Sequence, residues 1–248
     1  GVVDVQLIAD LHKSEVFRVG KLLGVPHSIR YASPSADLWD GQTDEDASND
    51  TSTVSFNYKS GLSFPMIEDF ETGSTPPADW SISDPGGAKT WELATGITGS
   101  DGNTTKAFTV NNYNYNNAGA YDALLTHYIE GGGALSSPKL IFDLAYARYS
   151  DSYSDALLIE ASNDCGQNYQ QIYFKTGKDA LGNLLSTTSN KSSSFTPSST
   201  NEWRSDTVDL SAYGNQNIIL KFSNINGYGN NLYIDNIKVE DESSCLIQ

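Results

Sequence analysis

Short runs in which apolar and polar residues alternate, each closed by a cluster of Gly, Pro, Asn or Ser, constrain this chain more than any other feature. Leu140, Phe142, Leu144 and Tyr146 form the clearest run, and further ones cover residues 156–161, 171–175, 207–210, 217–222 and 231–239. Alternate side chains leave a strand on opposite faces, so a period of two marks a half-buried strand. The separators, among them Asp84-Pro85-Gly86-Gly87, Gly131-Gly132-Gly133 and residues 192–199, are turn and loop chemistry. Only residues 14–23, ending before Gly24, fit a helix, and their Val and Phe content suits a strand equally. Many short strands with one apolar face each must be stacked as two sheets. The expected fold is an all-β antiparallel sandwich.

Charge narrows the partners. The chain of 248 residues carries 15 Lys and Arg against 31 Asp and Glu, a net charge of −16, without a basic cluster. Nucleic acid and anionic membranes are recognised by Lys and Arg and are excluded as partners. No apolar run approaches the roughly 20 residues that span a bilayer, so membrane insertion is not expected. The start at Gly1 and the single Met66 suggest a piece of a longer parent whose other domains are natural partners. A boundary falls near residue 62: Val3, Val5 and Leu7 alternate, as do Val54, Phe56 and Tyr58, around an acidic loop at 37–50. Residues 1–62 are thus expected to be a small or partial β domain, 63–242 a second domain, and 243–248 a tail. Asp40, Asp44 and Asp46 lack the EF-hand spacing, and a solvated loop is the plainer reading.

Catalytic chemistry has little to stand on. His12, His27 and His127 neighbour no nucleophile elbow, and CxxC and HExxH motifs are missing. Cys165 and Cys245 allow one disulfide, which would pin the tail and fit an oxidising, secreted or cell-surface setting, or two separate thiols. Trp80, Trp91 and Trp203 suit the space between two sheets.

Three ordered stretches carry a resemblance. "FPMIEDFETGSTPPADWSI", the "LIFDLAYARYSDSYSDALLIEASNDCG" region and the closing "NIILKFSNINGYGNNLYIDNIKV" together resemble the MAM-like jelly-roll modules of secreted Bacteroidetes-type multidomain proteins, over residues 64–240. The segment "DGQTDEDASNDTSTVSF" is similar to the closing hairpin of Ig-like modules. The first resemblance implies a jelly roll, first and last strands side by side, and a structural calcium at Glu71 and Asp235, with Asp69 a weaker ligand. Carboxylates packed close repel unless a cation neutralises them, and hard oxygen ligands favour calcium.

Tyrosines supply the binding expectation. Tyr113, Tyr115, Tyr121, Tyr149, Tyr153 and Tyr228 stand among Asn, Ser and Asp residues, where a ring can stack on a sugar while its neighbours bind hydroxyls. The expected function is a non-catalytic extracellular module that binds a glycan or a cell-surface or matrix protein. A structural spacer or adhesin segment, and the accessory end of a secreted peptidase or glycosidase, are the alternatives.

Overall fold

The computed structural model describes residues 13–30, 61–85, 87, 89–131, 137–177 and 184–241. The chain divides into two units, Gly1–Tyr58 and Lys59–Gln248. In the first, the described residues form two helices, α1 (Lys13–Leu22) and α2 (His27–Arg30). Gly24, at φ 73°, ends α1 with a Schellman arrangement in which the Val25 N–H donates to the Gly20 carbonyl at 2.9 Å. The β character expected across 1–62 therefore does not extend to 13–30, where residues 14–22 take the helical option. The runs at 3–7 and 54–58, the Ig-like hairpin and the acidic loop at 37–50 lie outside the described residues. Among the described residues no helix is long and apolar enough to cross a membrane.

The second unit is an antiparallel β-sandwich in jelly-roll style. Its strands are β1 (Met66–Glu68), β2 (Ser81–Ser83), β3 (Glu92–Thr98), β4 (Thr104–Val110), β5 (Tyr121–Leu125), β6 (Pro138–Tyr146), β7 (Ala156–Ser162), β8 (Gln170–Thr176), β9 (Trp203–Asp209), β10 (Ile219–Ile225) and β11 (Leu232–Asp241). One sheet runs β3-β4-β11-β6-β9, with β1 also paired to β11; the other runs β2-β5-β10-β7-β8. Met66 opposes Val239 and Glu68 opposes Ile237, so the first and last strands are neighbours.

Alternation decides which side chains meet between the sheets. Leu140, Phe142, Leu144 and Tyr146 of β6 are fully buried and share one core with Leu157 and Ile159 of β7 and Leu220 and Phe222 of β10. Each such side chain contributes roughly 1.5–3 kcal/mol by leaving water. Trp80 and Trp91 join this core, as expected. Trp203 does not. It packs with Ala145, Ala147, Phe195 and Tyr233 on the other face of the six-stranded sheet, and its indole N–H donates to the Thr98 carbonyl at 2.8 Å. Trp203 opposes Ala145, and small alanines there leave room for the ring under the connection that carries Phe195.

Two irregularities hide strands or shape sites. The β3–β4 register shifts between Thr95 and Ile97, where Gly96 takes φ 71°, and this bulge erases the alternation of β3. In β11 the register with β6 shifts between Asp235 and Lys238, with Asn236 at φ 50°.

Candidate functional site: a tyrosine recess and its buried support

Four of the six tyrosines converge. Tyr113, Asn114, Tyr149, Tyr153, Tyr228 and Gly229 line a recess of about 280 Å³. The rings follow one another around its wall, with centroids 6.2 Å apart from Tyr113 to Tyr149, 5.9 Å from Tyr149 to Tyr153 and 5.8 Å from Tyr153 to Tyr228. The last two pairs meet edge to face, so neighbouring rings turn their faces in different directions. Tyr153 and Tyr228 are 43% and 40% exposed, open to a ligand. Three separate connections supply this wall: one after β4, one between β6 and β7, and one between β10 and β11.

Asp155, which sequence reasoning did not single out, holds that wall in place. It is fully buried at the start of β7 and accepts hydrogen bonds from the backbone N–H groups of Gly227 (2.7 Å), Gly229 (3.1 Å) and Asn230 (2.8 Å). The Tyr146 phenol donates to its carboxylate at 2.9 Å and accepts from its N–H at 2.9 Å. Burial raises the Asp155 carboxyl above its ordinary range, and the donors from Gly227, Asn230, Tyr146 and Gly229 pull it back. The two glycines are required by close approach. A Cβ on Gly227 would overlap the Ser154 carbonyl oxygen, and one on Gly229 would overlap the Asp155 carboxylate. Between them Tyr228 takes φ 55°, which turns its ring into the recess. The sequence trace of this device is the pair of glycines in "NGYGNN"; nothing local connects them to residue 155.

The other two tyrosines stand elsewhere. Tyr115, expected at the binding surface, is only 2% exposed, because the neighbouring backbone is fastened inward: Asn226 donates to the Tyr115 and Asn117 carbonyls at 2.7 and 2.9 Å. Tyr121 lies on β5, where its phenol accepts from Ser223 at 2.7 Å and donates to Glu160 at 3.3 Å. Lys221 reaches the same Glu160 at 2.6 Å and lies over the Tyr169 ring, 4.2 Å from its centroid. These contacts make a polar patch on the five-stranded sheet rather than a part of the recess.

The carboxylates expected to hold calcium are partly gathered. Glu71 and Asp235 share the Thr105 hydroxyl, 2.8 Å and 3.3 Å away respectively. Glu71 also accepts from the Lys106 N–H at 2.8 Å, which with Thr105 holds its carboxyl below the usual range. The β11 bulge places Asp235, 1% exposed, opposite Asp143, and burial followed by the charges of Asp143 and Glu71 pushes its carboxyl up to about 7. Asp69 is exposed and accepts from the Glu71 N–H at 3.1 Å. Phe70 between them is buried and sits on a turn at φ 57° past the end of β1. No group of three or more His, Cys, Asp or Glu side chains among the described residues stands ready to hold a metal. Two carboxylates and a hydroxyl therefore form at most part of a calcium shell, which carbonyls and water would complete. Cys165 is a free, exposed thiol, and its expected partner Cys245 lies outside the described residues.

Comparison with known proteins gives two unconnected likenesses. The family model described as NAD synthase matches residues 1–51. Over 46 residues, 18% of each chain, the sequence is 59% identical to the NH(3)-dependent NAD(+) synthetase of Methanococcoides burtonii. Over 77 residues it is 42% identical to that of Alkaliphilus metalliredigens, covering 31% of this chain and 26% of the relative. The chain thus spans about a fifth to a quarter of the length of these relatives. Among solved structures, the K1 cleaved adhesin domain of Lys-gingipain from Porphyromonas gingivalis W83 is similar over 71% of this chain and 98% of its own, at 17% identity and a TM-score of 0.48. A carbohydrate-binding module solved with β-1,4-galactotriose is similar over 70% and 94%, at 14% identity and a TM-score of 0.41.

Proposed function

We propose that the second unit is a non-catalytic extracellular binding module whose tyrosine recess takes a glycan. The observation that carries this is the convergence of Tyr113, Tyr149, Tyr153 and Tyr228 on one open recess, built by three connections and braced by a buried carboxylate. Sugar C–H faces stack on phenol rings, while phenol hydroxyls and the Asn114 amide hydrogen-bond ring hydroxyls. Such recognition needs no strong charge, which suits an acidic chain. We further propose a structural calcium at Glu71 and Asp235, tying the turn after β1 to β11 and β4. The reading places the protein outside the cell or on its surface, beside other domains of one parent. The family-model match to NAD synthase covers residues 1–51, and the function proposed here concerns the second unit alone.

Glycan-array screening followed by calorimetry tests the recess. Removing two stacking rings by Tyr149→Ala with Tyr153→Ala should weaken the best glycan at least tenfold, about 1.4 kcal/mol, while near-ultraviolet dichroism stays that of a folded protein. A flat array, or a double variant that binds unchanged, would replace this reading with that of a structural spacer.

A further inference from the structure

A second pair of carboxylates faces inward at the edge of the five-stranded sheet. Ser81, Ile82 and Ser83 of β2 oppose Leu125, Leu124 and Ala123 of β5, and the next step of that register sets Asp84 opposite Asp122. Period two puts both on the face of Ile82 and Leu124, which belongs to the core. Asp122 is fully buried, and neither of its carboxylate oxygens meets a hydrogen-bond donor among the described residues. Asp84 is half-buried, with one oxygen taking the Gly87 N–H at 2.6 Å. No Lys or Arg among the described residues pairs with either. Like charges directly opposite in a sheet repel, and a buried carboxylate without donors is among the most costly groups a core can hold.

An independent observation lies alongside. The Tyr115 phenol oxygen is buried, has no hydrogen-bond partner of normal geometry, and is close enough to feel the charge of both Asp122 and Asp84. Its segment is fixed from behind by Asn112, which exchanges two hydrogen bonds with Asn224 at 2.8 and 2.9 Å. Two carboxylates set opposite each other and a phenol within electrostatic reach of both, from three segments, are thus gathered without a Lys or Arg partner among the described residues.

We propose that Asp84, Asp122 and Tyr115 form a binding site for one hard divalent cation of the calcium class, separate from Glu71 and Asp235. The two carboxylates are the charged ligands, and the Tyr115 phenol, directly or through a bound water, contributes a neutral oxygen. The ion converts repulsion between β2 and β5 into a clasp that also ties down residues 111–117. Tyr113 of that segment lines the recess, so, on the glycan reading above, the ion also orders one wall of the binding site.

Terbium luminescence on the full chain tests this site without any glycan. Trp91 is a built-in sensitiser, since its indole N–H donates to the Asp122 carbonyl at 3.0 Å. In chelator-treated Glu71→Gln, Asp235→Asn protein, terbium should give sensitised emission that calcium quenches by displacement. Adding Asp122→Asn or Asp84→Asn should weaken terbium and calcium more than about tenfold, roughly 1.4 kcal/mol. Asp122→Asn should also be at least as stable as its parent in chelator, because it removes the uncompensated charge. Folded parent protein that gives no emission, or an Asp122→Asn variant that binds as tightly, overturns the proposal. Should the background variant not fold, calorimetric stoichiometry in the otherwise unaltered chain decides: Asp122→Asn must remove one equivalent of calcium, and unchanged stoichiometry overturns it. Parent protein that binds calcium as expected but binds no glycan would instead count against the recess and leave this site standing.

Discussion

Asp155→Ala should cost the second unit about 3–5 kcal/mol in unfolding free energy, the largest effect expected of any single polar substitution in it. The carboxylate takes three backbone N–H groups and one phenol, all at 2.7–3.1 Å, the Gly227 contact part-buried and the other three away from solvent. Truncation leaves those donors buried and unpaired, and each lost partner costs roughly 1–3 kcal/mol unless water replaces it. Urea unfolding at unchanged m would read the loss as a lower midpoint. Tyr146→Phe removes one of the four contacts to the carboxylate and also the acceptor of the Asp155 N–H, and should cost about 1–3 kcal/mol. Because both residues share one network, the double variant should lose less than the sum of the two single variants. An Asp155→Ala loss below about 1 kcal/mol would mean that the 227–230 connection is held by something other than this carboxylate.

The same residue shows where sequence reasoning stops. Alternation of Leu140, Phe142, Leu144 and Tyr146 announces which face of β6 is buried, because a strand's two faces are set by local geometry. The neighbouring of β1 and β11 followed from the resemblance to jelly rolls, and periodicity alone does not contain it. Tyr113, Tyr149, Tyr153 and Tyr228 were legible as candidates, since Tyr among Asn and Ser is an unusual way to fill a loop. Their convergence was not, because it depends on which three connections emerge at one end of the sandwich. Tyr115 carries the same composition around it as Tyr113, yet backbone contacts from Asn226 turn it inward. Asp155 and Asp122 give no local signal at all: a buried carboxylate looks like a turn acid until its partners, dozens of residues away, are placed. Helix α1 was equally compatible with strand, and its Gly24 terminus is the element that fits helix better.

In chelator, the stability of this protein should fall as pH rises from about 4 to about 7, the reverse of ordinary acid denaturation. Asp122 and Asp235 drive this. Burial, followed by Asp84, pushes the Asp122 carboxyl up to about 7, and burial, followed by Asp143 and Glu71, does the same for Asp235. An unfolded Asp titrates near 3.9, so between those values the folded chain binds more protons than the unfolded one. Stability then declines with pH, and each carboxyl removes on the order of 2 kcal/mol by pH 8 after allowance for solvent screening. Groups with depressed values act in a different window: Asp164, held at about 2 by the Asn168 and Ser162 donors, loses its contribution only as pH falls below about 4. Maximum stability in chelator should therefore lie near pH 4 to 5. Calcium competes with the protons, so it should restore little at pH 5 and most at pH 8, where both carboxyls must ionise. Thermal melts across this range, with calcium and with chelator, read both effects. Asp122→Asn and Asp235→Asn should each flatten part of the decline, and the double variant should abolish the response to calcium. Stability that climbs steadily from pH 4 to 7 in chelator, or a calcium shift of equal size at pH 5 and 8, would show that these two carboxylates are neutralised by another means.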